Sequence, residues 1–98
     1  MKEITTEELQ KKLEAGEKLA LIDVREHDEV AQGMIPTANH IPMGEIPYKL
    51  DELDKDTEYI FVCRSGNRSG NVCYFLEDRG YKVTNMVGGM LDWRGRTV

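Results

Sequence analysis

The chain has 98 residues, 40% hydrophobic and 32% charged, a make-up that suits one ordinary globular domain able to bury its own core. Its formal net charge of −5 excludes a general nucleic-acid binder, which would carry a basic face. No apolar run approaches the roughly 20 residues that span a bilayer, and Met1-Lys2-Glu3-Ile4-Thr5-Thr6 lacks the apolar core of a signal peptide. A cytoplasmic protein is therefore expected. Cys63 and Cys73 are then reduced rather than bridged, and with no C-x-x-C pair there is no zinc site.

Strand-like and helix-like segments alternate along the chain. A short strand around Glu3 and Ile4 leads into a capping box, with Thr5 as N-cap and Glu8 three residues inside the helix. Leu9 and Leu13 share one helical face, and Gly16 stops the helix. Leu19 to Val24 is a continuous apolar run closing on Asp23, as in a strand buried on both faces. A short helical piece is predicted over residues 26–32 and a brief strand over 38–41, between Pro36 and Pro42. Ile46, Leu50 and Leu53 are spaced for a further helix, with Pro47 tolerable only in its first turn. Residues 57–62 form a strand, 68–79 a helix stopped by Gly80, and 82–87 the last strand. Gly88-Gly89 and a final helical turn at 90–93 follow. This order implies an α/β fold: a small parallel sheet of about five strands with helices on both faces, in one domain over residues 1–98. No internal repeat or linker interrupts it. In such sheets ligands bind beyond the carboxyl ends of the strands.

Cys63 lies at one of those ends, between the apolar run Tyr59-Ile60-Phe61-Val62 and the next helix. Backbone N–H groups and the positive end of the helix dipole gather there, so the place binds anions and favours thiolate over thiol. Cys63-Arg64-Ser65-Gly66-Asn67-Arg68 is a C-x4-R loop. Gly66 and Asn67 can take positive φ angles and curl the backbone into a cup of N–H groups. Arg68 can close the cup by hydrogen-bonding across it, and Ser69 can cap the helix. The flanking polar residues make Cys63 face solvent. A tight cup fits the single outer sulfur of a persulfide, whereas a tetrahedral phosphate needs a wider one.

Four segments in order resemble the single-domain rhodaneses, the thiosulfate sulfurtransferase family. Asp23-Val24-Arg25-Glu26 is similar to their D-x-R-[ED], and residues 33–42 to G-H-I-P-G-A-x-N-I-P. Cys63 to Ser69 resembles their active loop, and Gly88-Gly89-Met90-Leu91-Asp92-Trp93 their G-G-x-x-x-W. Three positions depart from the pattern: Met34 replaces His, Thr37 replaces Gly, and His40 replaces Asn. They leave the loop intact and bear on a local turn and on acceptor preference. The resemblance implies that Cys63 takes a sulfane sulfur from thiosulfate or a persulfide donor. It then passes that sulfur to cyanide or a thiol, with no metal or organic cofactor. Arg64, Ser65, Gly66, Asn67, Arg68 and Ser69 would bind the donor and stabilise the persulfide. The implied partners are a small anionic donor and a thiol acceptor such as a thioredoxin-like protein or a desulfurase, with no nucleic acid or membrane, and a monomer or weak dimer.

The remaining candidates favour structural roles. Cys73 stands among Val72, Phe75 and Leu76 and is expected in the core. Asp23 and Arg25 read as an ion pair or loop anchor, His27 as exposed, His40 as a hydrogen-bonded loop residue, and Trp93 as packing. Gly88-Gly89 permits a close backbone approach beside the loop. Two other functions compete. Cysteine phosphatases and arsenate reductases share an anion cup but use C-x5-R, one residue longer, and no leaving-group acid can be assigned here. Non-catalytic rhodanese-like interaction modules tend to lose the cysteine, which this chain keeps.

Overall fold

The computed structural model describes residues 1–98. Strands β1 (Lys2–Thr5), β2 (Ala20–Asp23), β3 (Asn39–His40), β4 (Glu58–Val62) and β5 (Lys82–Val87) form one sheet in the order β1-β5-β4-β2-β3. Every neighbouring pair is parallel. Helices α1 (Thr6–Glu14), α2 (His27–Val30) and α3 (Asn67–Glu77) are joined by three 3-10 segments, Met43–Tyr48, Leu50–Glu52 and Gly89–Asp92. No helix is long and apolar enough to cross a membrane.

Side chains alternate across the pleat and build one core on each face. On one face Ile22, Phe61, Cys63 and Val83 pack with Ile46 and with Val72, Cys73 and Leu76 of α3. On the other, Leu21, Ile60, Val62 and Met86 pack with Leu9 of α1 and with Ile35. Both faces are thus covered, which is why the central strands β2 and β4 read as apolar runs rather than alternating ones. The capping box at the start of α1 forms as expected: Glu8 N–H donates to Thr5 Oγ1 at 3.1 Å, and Thr5 N–H to Glu8 Oε1 at 2.9 Å.

Two local expectations are corrected. The helix predicted across Ile46, Leu50 and Leu53 is two 3-10 segments broken at Lys49. Pro47 falls inside the first segment, past the turn where proline is tolerated, so its missing N–H and its ring prevent an i→i−4 ladder. Ile46 still reaches the core, with Leu50 and Leu53 against it. The helical piece predicted over residues 26–32 shortens to His27–Val30. Thr37, where the rhodanese pattern has glycine, keeps a glycine-like backbone: its φ of 71° makes it the sole non-glycine residue with positive φ. A β-branched residue is strained there.

Candidate active site

Cys63 directly follows β4, and its side chain turns toward α3, into the core that Phe61 also enters. It is fully buried. This corrects the expected solvent-facing sulfur: Arg64 and Ser65 are exposed, but they form the rim while Sγ lies at the floor. The chain then turns through Gly66, whose φ of 101° is the left-handed conformation that glycine adopts without cost, and enters α3. Asn67 does not share that conformation; it is already the first residue of the helix. The far side of the loop rests on the Gly89–Asp92 segment. Met90 N–H donates to the Cys63 carbonyl at 2.8 Å and Leu91 N–H to the Arg64 carbonyl at 3.0 Å. A Cβ at Gly89 would run into the Arg64 carbonyl, so the expected close approach at Gly88-Gly89 is made here.

Sγ accepts hydrogen bonds from Gly66 N–H at 3.0 Å and from the Ser69 hydroxyl at 3.2 Å. Burial alone would raise the thiol pKa. The Ser69 hydroxyl and the N–H groups of Ser69, Gly66 and Ser65 outweigh it and hold the pKa below the ordinary value. Ser69 is therefore not the helix cap; Gly66 occupies the N-cap, and the buried Ser69 hydroxyl serves the sulfur. Cys73 differs from Cys63 as expected. Buried with no such donors, its thiol is pushed up to about 12.

The role expected of Arg68 also changes. Instead of spanning the loop carbonyls, its Nη1 and Nη2 donate to Glu29 Oε1 and Oε2 at 2.6 and 2.7 Å, a bidentate pair that ties the loop to α2. Hydrogen bonding to Arg68 lowers the Glu29 pKa to about 2. Below this pair lies a second one. Buried Arg25 grips Asp23 through Nε and Nη2, at 2.9 to 3.1 Å, and donates from Nη2 to the Gly33 carbonyl at 2.7 Å. Asp23 and Arg25 are thus the expected ion pair. His40 Nε2 lies 2.7 Å from the Arg25 carbonyl and so carries the ring proton. His27 is exposed, edge-on to His40 with ring centroids 4.8 Å apart. Arg64 joins no ion pair, leaving its charge free at the rim. No three acids, histidines or cysteines gather to hold a metal ion.

Sequence reasoning missed two residues of this site. Glu29 lies 39 positions before its partner Arg68, in a run of charges with no distinguishing mark. Asn85, buried on β5, meets both Ser69 and Gly66. A signal for it existed: an amide inside an apolar strand must find hydrogen bonds.

The model of the rhodanese-like domain family matches residues 5–96. A Bacillus subtilis (strain 168) protein named as a sulfurtransferase, YtwF, is 59% identical over 97 residues, covering 99% of this chain and 94% of that protein. A protein of Allochromatium vinosum named "Sulfurtransferase" is 42% identical, covering 93% of this chain and 86% of its own length. Among solved structures, a rhodanese-like domain protein from Staphylococcus aureus superposes with a TM-score of 0.91 at 42% identity, covering 98% of this chain and 94% of that one.

Proposed function

The chain belongs to the rhodanese-like domain family and is similar over nearly its whole length to named sulfurtransferases; from that premise we propose that it moves sulfane sulfur through a persulfide on Cys63. The observation that carries the proposal is the environment of Sγ: a buried sulfur, hydrogen-bonded by Gly66 N–H and the Ser69 hydroxyl at the mouth of α3, with its pKa held down. A thiolate so placed is a ready nucleophile for the outer sulfur of thiosulfate or of a persulfide donor.

The cycle is a double displacement. The Cys63 thiolate attacks the outer sulfur of thiosulfate, a new S–S bond forms, and the old one breaks with its electron pair leaving on sulfite. The charge now rests on the outer sulfur of Cys63–S–S⁻, within the N–H groups of the loop and of the first turn of α3, which have no partners inside the helix. A thiolate acceptor or cyanide then attacks that sulfur, and the pair of the breaking bond returns to Sγ. Neither displacement calls for a metal or an organic cofactor. Arg64, exposed and unpaired at the rim, draws in the anionic donor. Arg68 acts through Glu29, holding the loop against α2.

The C-x4-R loop, one residue shorter than the phosphatase loop, favours sulfur over phosphate. Intact mass spectrometry after incubation with thiosulfate, and separately with a persulfide donor, tests the central step. The wild type should gain the mass of one sulfur atom, lost again on adding cyanide, and Cys63→Ser should gain nothing. A wild type that stays unmodified with both donors, or an adduct that persists in Cys63→Ser, refutes the reading.

A further inference from the structure

One polar side chain of β5 reaches the loop from below. Asn85 is 5% exposed and pairs in register with Phe61 of β4, so it faces α3 as Phe61 does. Its amide is held at both ends. Nδ2 donates to the Gly66 carbonyl at 3.1 Å, and Oδ1 lies 2.5 Å from Ser69 Oγ. The first bond decides which way the amide points, because only the nitrogen can donate to a carbonyl. Oδ1 is thereby turned to the hydroxyl.

Ser69 Oγ is the junction between two acceptors, Asn85 Oδ1 at 2.5 Å and Cys63 Sγ at 3.2 Å. A hydroxyl has one hydrogen to give. Donated to Sγ, it stabilises a thiolate; donated to Oδ1, it leaves Oγ as an acceptor toward an S–H. The shorter separation is the one to Asn85. We propose that Asn85 is a positioning residue for the chemistry at Cys63: it competes with the sulfur for the Ser69 hydroxyl and holds that hydrogen whenever Sγ is uncharged.

The inference rests on Cys63 as the nucleophile and adds a timing to its cycle. When the persulfide forms, Sγ becomes a neutral sulfur with single bonds to Cβ and to the outer sulfur, and the charge moves to that outer atom. The hydroxyl then turns to Asn85. As the acceptor attacks and the electron pair returns to Sγ, the hydroxyl swings back. A donor that engages only as charge develops favours the transition state over the ground state. No proton changes owner in this sequence; the hydroxyl only rotates.

Alkylation of Cys63 by iodoacetamide as a function of pH reads its thiolate fraction with no sulfur donor present. The outcome is therefore separate from whether sulfur is transferred. The other ionisable groups around the sulfur are Arg68, tied to Glu29, and Cys73, whose thiol is pushed up to about 12; neither titrates within the assay. Asn85→Leu removes the competing acceptor and should lower the midpoint by about one pH unit, a roughly tenfold gain in reactivity below it. Asn85→Asp keeps the shape but adds a negative charge, and should raise the midpoint by at least as much. In a Ser69→Ala background Asn85→Leu should shift nothing. A rise in both single variants, or a leucine effect that survives the loss of Ser69, would make Asn85 merely a clamp on Gly66 and overturn the inference. If Asn85→Leu does not fold, Asn85→Ala takes its place under the same criterion, and a midpoint that rises or stays where it was refutes the inference.

Discussion

Glu29→Gln keeps the size of the side chain and one acceptor but removes the charge that faces Arg68. The two side chains are 23% and 30% exposed, and the carboxylate meets the guanidinium at 2.6 and 2.7 Å. Lowering the Glu29 pKa from 4.5 to about 2 corresponds to at most about 3 kcal/mol of folding stability. Water reaches part of the pair and screens it, so a loss of about 1–2 kcal/mol is expected in the variant. The sign follows from linkage. Because the folded-state pKa lies below the unfolded one, the contribution is complete above the unfolded value of 4.5 and drains away as pH falls toward about 2. Urea denaturation of both proteins near neutral pH should therefore show the full difference, and at about pH 3 less than half of it should remain. Equal stability at neutral pH, or a difference that does not shrink in acid, would refute the pair as an anchor of the loop.

Two further predictions follow from single positions. Thr37→Gly should stabilise the protein by about 1 kcal/mol by relieving the strain at φ 71°, read as a rise in thermal midpoint; no rise would mean that the turn pays nothing for its threonine. Arg64→Ala should raise the KM for thiosulfate about three- to tenfold with little change in kcat, more at low ionic strength where screening is weak. A fall in kcat at unchanged KM would place Arg64 in the chemistry rather than at the rim.

What was legible in the sequence followed the range of the interactions. Strand positions came from apolar runs, and the Thr5–Glu8 capping box and the turn at Gly66 came from neighbours in the chain, so local patterning described them. The sheet with helices on both faces followed because strands without polar alternation need cover on each side. Errors arose where a distant residue decided the outcome. Arg68 looked free to serve its own loop, since nothing nearby shows that Glu29, 39 positions earlier, lies within reach. Ser69 looked like a helix cap because that is what a serine beside a helix start usually does; in the fold, Gly66 takes that position and Asn85 meets the hydroxyl from β5. The segment through Ile46 and Leu50 differs in kind: its apolar spacing suits a helix, but Pro47 within it blocks the i→i−4 ladder and leaves two 3-10 turns.

The site itself joins these two kinds of interaction. A C-x4-R loop is a string of flexible backbone, and its N–H groups stabilise charge on sulfur only if they are aimed before the reaction begins. Three elements hold this one: α2 through the Glu29–Arg68 pair, β5 through Asn85, and the Gly89–Asp92 segment through N–H groups on the Cys63 and Arg64 carbonyls. Burial of Sγ then plays a double part. It penalises the thiolate, and the Ser69 hydroxyl and the loop N–H groups outweigh that penalty, yet the same low dielectric strengthens each of those bonds. An exposed cysteine in an unsupported loop would feel neither effect. The reactivity proposed for Cys63 thus depends as much on the sheet and helices that hold the loop as on the six residues from Cys63 to Arg68.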